Sequence, residues 1–195
     1  MMSKEQSMEL STEVIQYEAL KEPMMLGDVF SKSGMFPDVK SQAQAVVKIL
    51  AGKELGVSPF EAMTNLYMVS GRLAIMAKLM ASIIKKGNKY DYSVDELTDN
   101  DCKISFYRVK GDTQDPIGTS TFTIKDAAKA GLVNKDNWKN YPRNMLFARA
   151  LSNGARWYCP DAVGGYYTME ELEDVSPIEP VKEIIKMTEG EVTNG

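Results

Sequence analysis

The sequence predicts an α+β fold: N-terminal helices and a β-hairpin, a three-stranded antiparallel meander, and a long C-terminal helix. Three observations predict it. Apolar residues recur at helical spacing over 41–55, over 77–86 and from Pro142 onward. Between these stretches the pattern switches to strand-like segments at 89–95, 102–109 and 117–124, joined by the turn-rich links DELTDND and KGDTQDP. The order is helices, hairpin, helix, meander, helix, rather than an alternation of strand and helix.

Residues 1–9 are polar, and 11–21 place Val14, Ile15 and Leu20 at helical spacing. A second short helix is expected near Leu26–Ser33, closed by Gly34. Asp38 or Ser41 then caps a helix over 41–55 that ends at Gly56. Ser58, Pro59 and Glu61 form a strong start signal: a capping box with proline at the first helical position. That short helix leads into LYMVSGRLAIM, two apolar runs about Ser70-Gly71, the signature of a hairpin with a tight turn. Residues 77–86 return to helix and stop at Gly87. In the meander, Ile104 and Phe106 alternate with polar neighbours, and TSTFTI is threonine-rich, as strands tolerate. Thr123 and Asp126 form another capping box before a short helix ended by Gly131. Residues 134–140 read as a polar loop with one aromatic, Trp138. Pro142 opens the long helix, which meets no breaker until Gly154. Thr168 and Glu171 cap one last turn. The expected organisation is an acidic N-terminal helical segment (1–24), a core (25–173) and an acidic flexible tail (174–195).

Composition excludes several chemistries. There is no histidine, which removes Ser/His and Cys/His nucleophile pairs, most zinc sites and the commonest general base. The two cysteines, Cys102 and Cys159, stand far apart, which fits free thiols in a cytosolic compartment. No Gly-x-x-x-x-Gly-Lys loop and no Gly-x-Gly-x-x-Gly is present, so nucleotide-driven work and a cofactor are not expected. Nor does any apolar run reach the length of a membrane span. Net charge is −4, but it is unevenly placed: residues 1–24 carry −3 and 170–195 carry −6, leaving +5 on 25–169. A mildly basic body between acidic ends is compatible with a groove for a polyanion.

The long helix carries the sharpest signal. Arg149 and Arg156 lie seven residues apart, nearly two turns, so both leave the same face, with Ser152 and Asn153 between them. An otherwise apolar helix thus presents fork-shaped donors suited to carboxylate or phosphate oxygens. Two readings stay open: the forks meet an external phosphate, or they pair with internal acids such as Asp126 or Asp161. Lys135, Lys139 and Arg143 widen the positive zone, and Arg72 and Lys78 begin a second positive edge after the hairpin. Trp138, Tyr141, Trp157 and Tyr158 flank the arginines, either as stacking surfaces for bases or as core at the helix ends. Acid pairs such as Asp99/Asp101 and Glu170/Glu171 read mainly as turns and helix starts, with a divalent-ion site as the minor alternative.

Taken together, the Leu-Gly-x-Ser-Pro helix start at 55–59, the Gly-turn hairpin, the run D-A-A-K-A-G-L at 126–132, W-K-N-Y-P-R-N-M-L-F-A-R-A at 138–150 and P-D-A-V-G-G-Y-Y-T-M-E-E at 160–171 resemble phage-encoded recombinases of the RecT group. The likeness spans about residues 25–173, and its most specific part is the block from Trp138 to Arg156. The resemblance implies an ATP-independent single-strand annealing protein, not an enzyme. It would coat single-stranded DNA as a ring or helical filament in the bacterial cytoplasm, beside a phage exonuclease or a host single-strand binding protein. The chain is short for that group and acidic overall. On this reading Arg149, Arg156, Arg143, Lys139, Asn153, Arg72 and Lys78 meet the strand, Trp138 borders its bases, and the N-terminal helix and hairpin make subunit contacts. Two other readings remain: a protein-interaction module that keeps the fold and uses its acidic tail as a DNA mimic, and a metal-dependent nuclease.

Overall fold

Phe106 lies fully buried where a helix crosses a sheet. The computed structural model describes residues 19–69 and 71–174. The first described element is helix α1 (19–32), followed by α2 (Gln42–Glu54) and α3 (Pro59–Asn65). A hairpin, β1 (Leu66–Val69) and β2 (Arg72–Ile75), leads to α4 (Ala77–Lys86). The meander is β3 (Tyr90–Leu97), β4 (Asp101–Lys110) and β5 (Thr113–Thr123). Short helices α5 (Ile124–Lys129) and α6 (Asp136–Asn140) precede the long α7 (Pro142–Tyr158). The described chain closes with α8 (Pro160–Val163), β6 (Tyr167–Thr168) and α9 (Met169–Asp174). The α+β architecture, with its hairpin and three-stranded antiparallel meander, is as expected. The expected tail, beyond Asp174, and the expected helical residues 11–18 lie outside the described residues.

Two sheets form. β3, β4 and β5 pair antiparallel in sequence order, and β1 and β2 pair antiparallel with β6 added parallel to β2. In β4 the period of two puts Cys102, Ile104 and Phe106 on the inner face, all fully buried. Helix α7 lies across them. Its Gly154 is needed there: a Cβ would overlap the Phe106 ring. Gly118 on β5 makes room in the same way for the Tyr158 ring. The main core gathers these residues with Leu79, Met80, Ile84, Leu146 and Leu151. A smaller core, Phe36, Val39, Ala45, Ile49 and Met63, sits between the N-terminal helices. Beside it Lys48 is wholly buried, donating to Asp38 Oδ2 and to the Met63 carbonyl, both at 2.9 Å. Burial lowers the Lys48 pKa, and the Asp38 carboxylate opposes that shift. Asp38 Oδ2 also accepts the Met68 N–H, so one carboxylate ties α2 to the hairpin.

Several local expectations are corrected. The break expected before Leu26 does not occur: α1 runs through Pro23 and Gly27. Gly27 serves close packing, since a Cβ there would come within 2.7 Å of Val46. Ser41 is the cap of α2, accepting from Gln44 N, while Asp38 is engaged by Lys48. Only half of the Ser58 box forms: Ser58 accepts from Glu61 N, but the Glu61 carboxylate turns to Lys86. The link expected after β4 is shorter, because β5 already begins at Thr113, and Pro116 is accommodated beside a register shift at Phe106/Tyr107 on an edge strand. Residues 136–140 are a helix rather than a loop. Helix α7 continues past Gly154 to Tyr158, as the shared face of Arg149 and Arg156 requires, and that glycine answers to Phe106. The Thr123/Asp126 capping box forms in full. Among the described residues no helix is long and apolar enough to cross a membrane.

The packing sets two opposing effects on Gly154→Ala. Alanine favours an isolated helix by about 1 kcal/mol, whereas overpacking a filled core costs about 1–3 kcal/mol or more. The Phe106 overlap decides the sign, so the variant is expected to be less stable in urea denaturation. An unchanged or raised midpoint would contradict this packing.

Candidate nucleic-acid interface

The site grows from the apolar packing of α7. Because that helix buries Leu151 and sets Gly154 against the Phe106 ring, the opposite stripe projects Arg149, Asn153 and Arg156 at spacings of four and three residues. Sheet β1-β2-β6 forms the facing wall. Ala74 on β2 pairs in register with Tyr167 on β6. Arg72 is two residues from Ala74 and therefore shares its face, as Tyr167 does. Arg72, Arg149, Asn153, Arg156 and Tyr167, with Leu132, Glu171 and Leu172, line an open pocket of about 460 Å³.

Glu171 organises this pocket. Its Oε2 accepts from Arg156 Nη1 at 2.6 Å and from Thr168 N at 2.9 Å. Its Oε1 accepts from Arg156 Nη2 at 2.6 Å and from Ser152 Oγ at 2.9 Å. Arg149 Nη1 stands 3.6 Å from the same oxygen. The Glu171 side chain is only 5% exposed. Burial by itself would push its carboxyl up, but the Arg156 fork, the Thr168 N–H and the Ser152 hydroxyl outweigh burial and hold it below the usual glutamate range. The same hydrogen bonds raise the Arg156 pKa. Thr168 Oγ1 accepts from Glu171 N at 3.3 Å, so the expected cap of the last turn is present, and its glutamate does double duty.

Of the two readings left open for the arginines, the internal one holds for the Arg156 fork. Its partner is Glu171, not Asp126 or Asp161. Asp126 is held in its own capping box, and Asp161 accepts from Tyr90 and pairs with Lys89. Arg156 Nη2 also donates to Asn153 Oδ1 at 3.0 Å, which leaves the Asn153 amide nitrogen as a donor group in the pocket. Its guanidinium carbon lies 5.2 Å from the centre of the Tyr167 ring.

The other expected residues fall elsewhere. Trp138 is corrected: its ring is 2% exposed and packs against Phe122, so it cannot border a base. Arg143 is exposed and pairs with Asp99 at 2.7 Å. Lys139 on α6 and Lys78 on α4 are exposed and do not line the pocket. Arg72, Arg149, Asn153 and Arg156 are the expected residues brought together. Tyr167 was missed as a site residue. Its signal was the Tyr-Thr before Glu171, since a strand residue whose neighbour caps a helix must turn its own side chain the other way. Trp157, not Trp138, is the exposed tryptophan of this helix end, at 61%. No protein-family profile, curated protein or solved structure matches the chain.

Glu171 also sets an acid limit. A carboxylate whose folded pKa is depressed contributes stability that is fully present above its unfolded pKa, near 4.5, and is lost as pH falls through the folded value. Thermal melts from pH 7 to pH 3 are expected to show that acid loss in the wild type and a weaker pH slope in Glu171→Gln. Parallel profiles would show that the carboxylate charge is not what fastens α9.

Proposed function

We propose that this chain is an ATP-independent single-stranded DNA-binding and annealing protein of the RecT type, acting as an oligomer and without a catalytic step. The observation that carries the reading is the convergence of three guanidinium groups and an asparagine amide on one open pocket that, among the described residues, a single carboxylate lines. Arg156 commits its fork to Glu171 and contributes charge. Arg72 is exposed, with no ion pair among the described residues, and offers its whole fork to a phosphate.

Such a site grips sugar–phosphate without reading sequence. Annealing needs this arrangement, because a strand held by its backbone keeps its base edges for the complement. Each site is small, so affinity accumulates when many subunits engage one strand. The N-terminal helix and the hairpin are the proposed subunit contacts. A phage exonuclease or a host single-strand binding protein is the proposed companion in recombination.

Complementary labelled oligonucleotides test this directly. The protein is expected to accelerate their pairing without any nucleoside triphosphate. Arg72→Ala is expected to weaken single-strand binding and to reduce the slope of log affinity against log salt by about 0.7, the value for one phosphate contact. No acceleration by the wild type would remove the function, and an unchanged salt slope in the variant would remove the site. Arg156→Ala is the poorer probe, because it also strands the Glu171 carboxylate.

A further inference from the structure

We propose that Tyr167 is a stacking platform for one base of the bound strand, with Arg156 backing its ring and Arg72 holding the adjoining phosphate. This deepens the single-strand reading above and rests on it.

Neighbours in β6 have opposite fates. Thr168 is completely buried and caps α9, whereas Tyr167 remains 52% exposed. An exposed tyrosine alone would mean little. This one is held at its backbone and at its ring. Its backbone is paired in register with Ala74 of β2. Its ring lies 5.2 Å from the Arg156 guanidinium carbon. That guanidinium is itself fixed by two 2.6 Å bonds to a buried carboxylate and a third to Asn153. The ring is therefore positioned before any ligand arrives, and half of it faces open space. Fixing an aromatic in advance removes the ordering cost that a loose surface ring would carry into a complex.

The surroundings fit a nucleotide. Small-ligand pockets run from about 300 to 1,000 Å³, and this one holds about 460 Å³, room for a single unit of a strand. Arg72 sits on the same strand face, two residues along β2 from the residue paired with Tyr167, so their backbones stand roughly 8 Å apart when strand rise and strand spacing are combined. From there the long Arg72 side chain can meet the phosphate next to a base stacked on Tyr167. A ring that stacks on the face of a base takes any base and leaves the pairing edge uncovered, which is what an annealing protein requires. The cation behind the tyrosine adds to the attraction for the stacked system.

The competing explanation is that Tyr167 only covers Arg156. The experiment separates the two with the full chain and two ligands: a thymidine 20-mer, and a 20-mer of abasic sugar–phosphate with the same charge. Tyr167→Phe keeps the ring, and Tyr167→Leu keeps an apolar cover without one. Stacking predicts that Phe stays within about twofold of wild type on the thymidine strand. It predicts that Leu loses about tenfold there, within the range for one stacked base, and loses little on the abasic strand. Equal affinity of Leu and wild type for thymidine, or an equal loss on both ligands, would overturn the stacking proposal while leaving the single-strand reading in place. A wild type that binds neither ligand would overturn both.

Discussion

One buried carboxylate holds the pocket-bearing part of this molecule together. Glu171 joins three separate pieces of chain: the fork of Arg156 and the hydroxyl of Ser152 on α7, the N–H of Thr168 at the end of β6, and its own short helix α9. Through β6 the tie continues to β2, and so to Arg72 and Tyr167. Removing one partner of such a pair leaves a charge stranded in the interior, at a cost of about 3–5 kcal/mol in buried cases. The same contact that builds the wall of the pocket therefore also decides which arginine donors are available in it. Arg156 belongs mainly to the structure, and Arg72 belongs to the opening.

The pocket inherits its rigidity from the crossing of α7 over the β3-β4-β5 sheet. Gly154 and Gly118 admit the Phe106 and Tyr158 rings, and this fixes how the helix lies. Arg149, Asn153 and Arg156 then follow from helical geometry alone. A site formed between a packed helix and a paired strand is held more closely than one carried on loops. The N-terminal layer is organised separately around its own small core and the Lys48–Asp38 tie, so it can differ in stability from the layer that carries the pocket.

Local rules written within a few residues were legible in the sequence. The caps at Ser41, Thr123 and Thr168 and the hairpin about Gly71 needed only their own neighbours, and they form. What could not be read were the positions decided by distant partners. Gly27 and Gly154 look like interruptions in sequence, but each exists because a side chain from another element approaches it. Trp138 looks like a stacking ring until Phe122, sixteen residues earlier, is seen to cover it. The arginine stripe is visible from its spacing, yet the internal acid that meets Arg156 is Glu171 and not one such as Asp126 or Asp161, because the return of β6 alongside β2 leaves no local mark. Tyr167 leaves one local trace, the Thr168 cap beside it, but the wall it stands on is set by the same distant pairing.

The most direct measurement is photocrosslinking of a single strand carrying iodouracil, followed by mapping of the attached peptides. The account predicts that crosslinks concentrate on the peptides of β2, of the second half of α7 and of β6, with Tyr167 and Trp157 as the aromatic acceptors within them. Crosslinks confined to α1, α2 or the outer face of the meander would contradict it, since the strand would then run where none of the three pocket arginines can touch it.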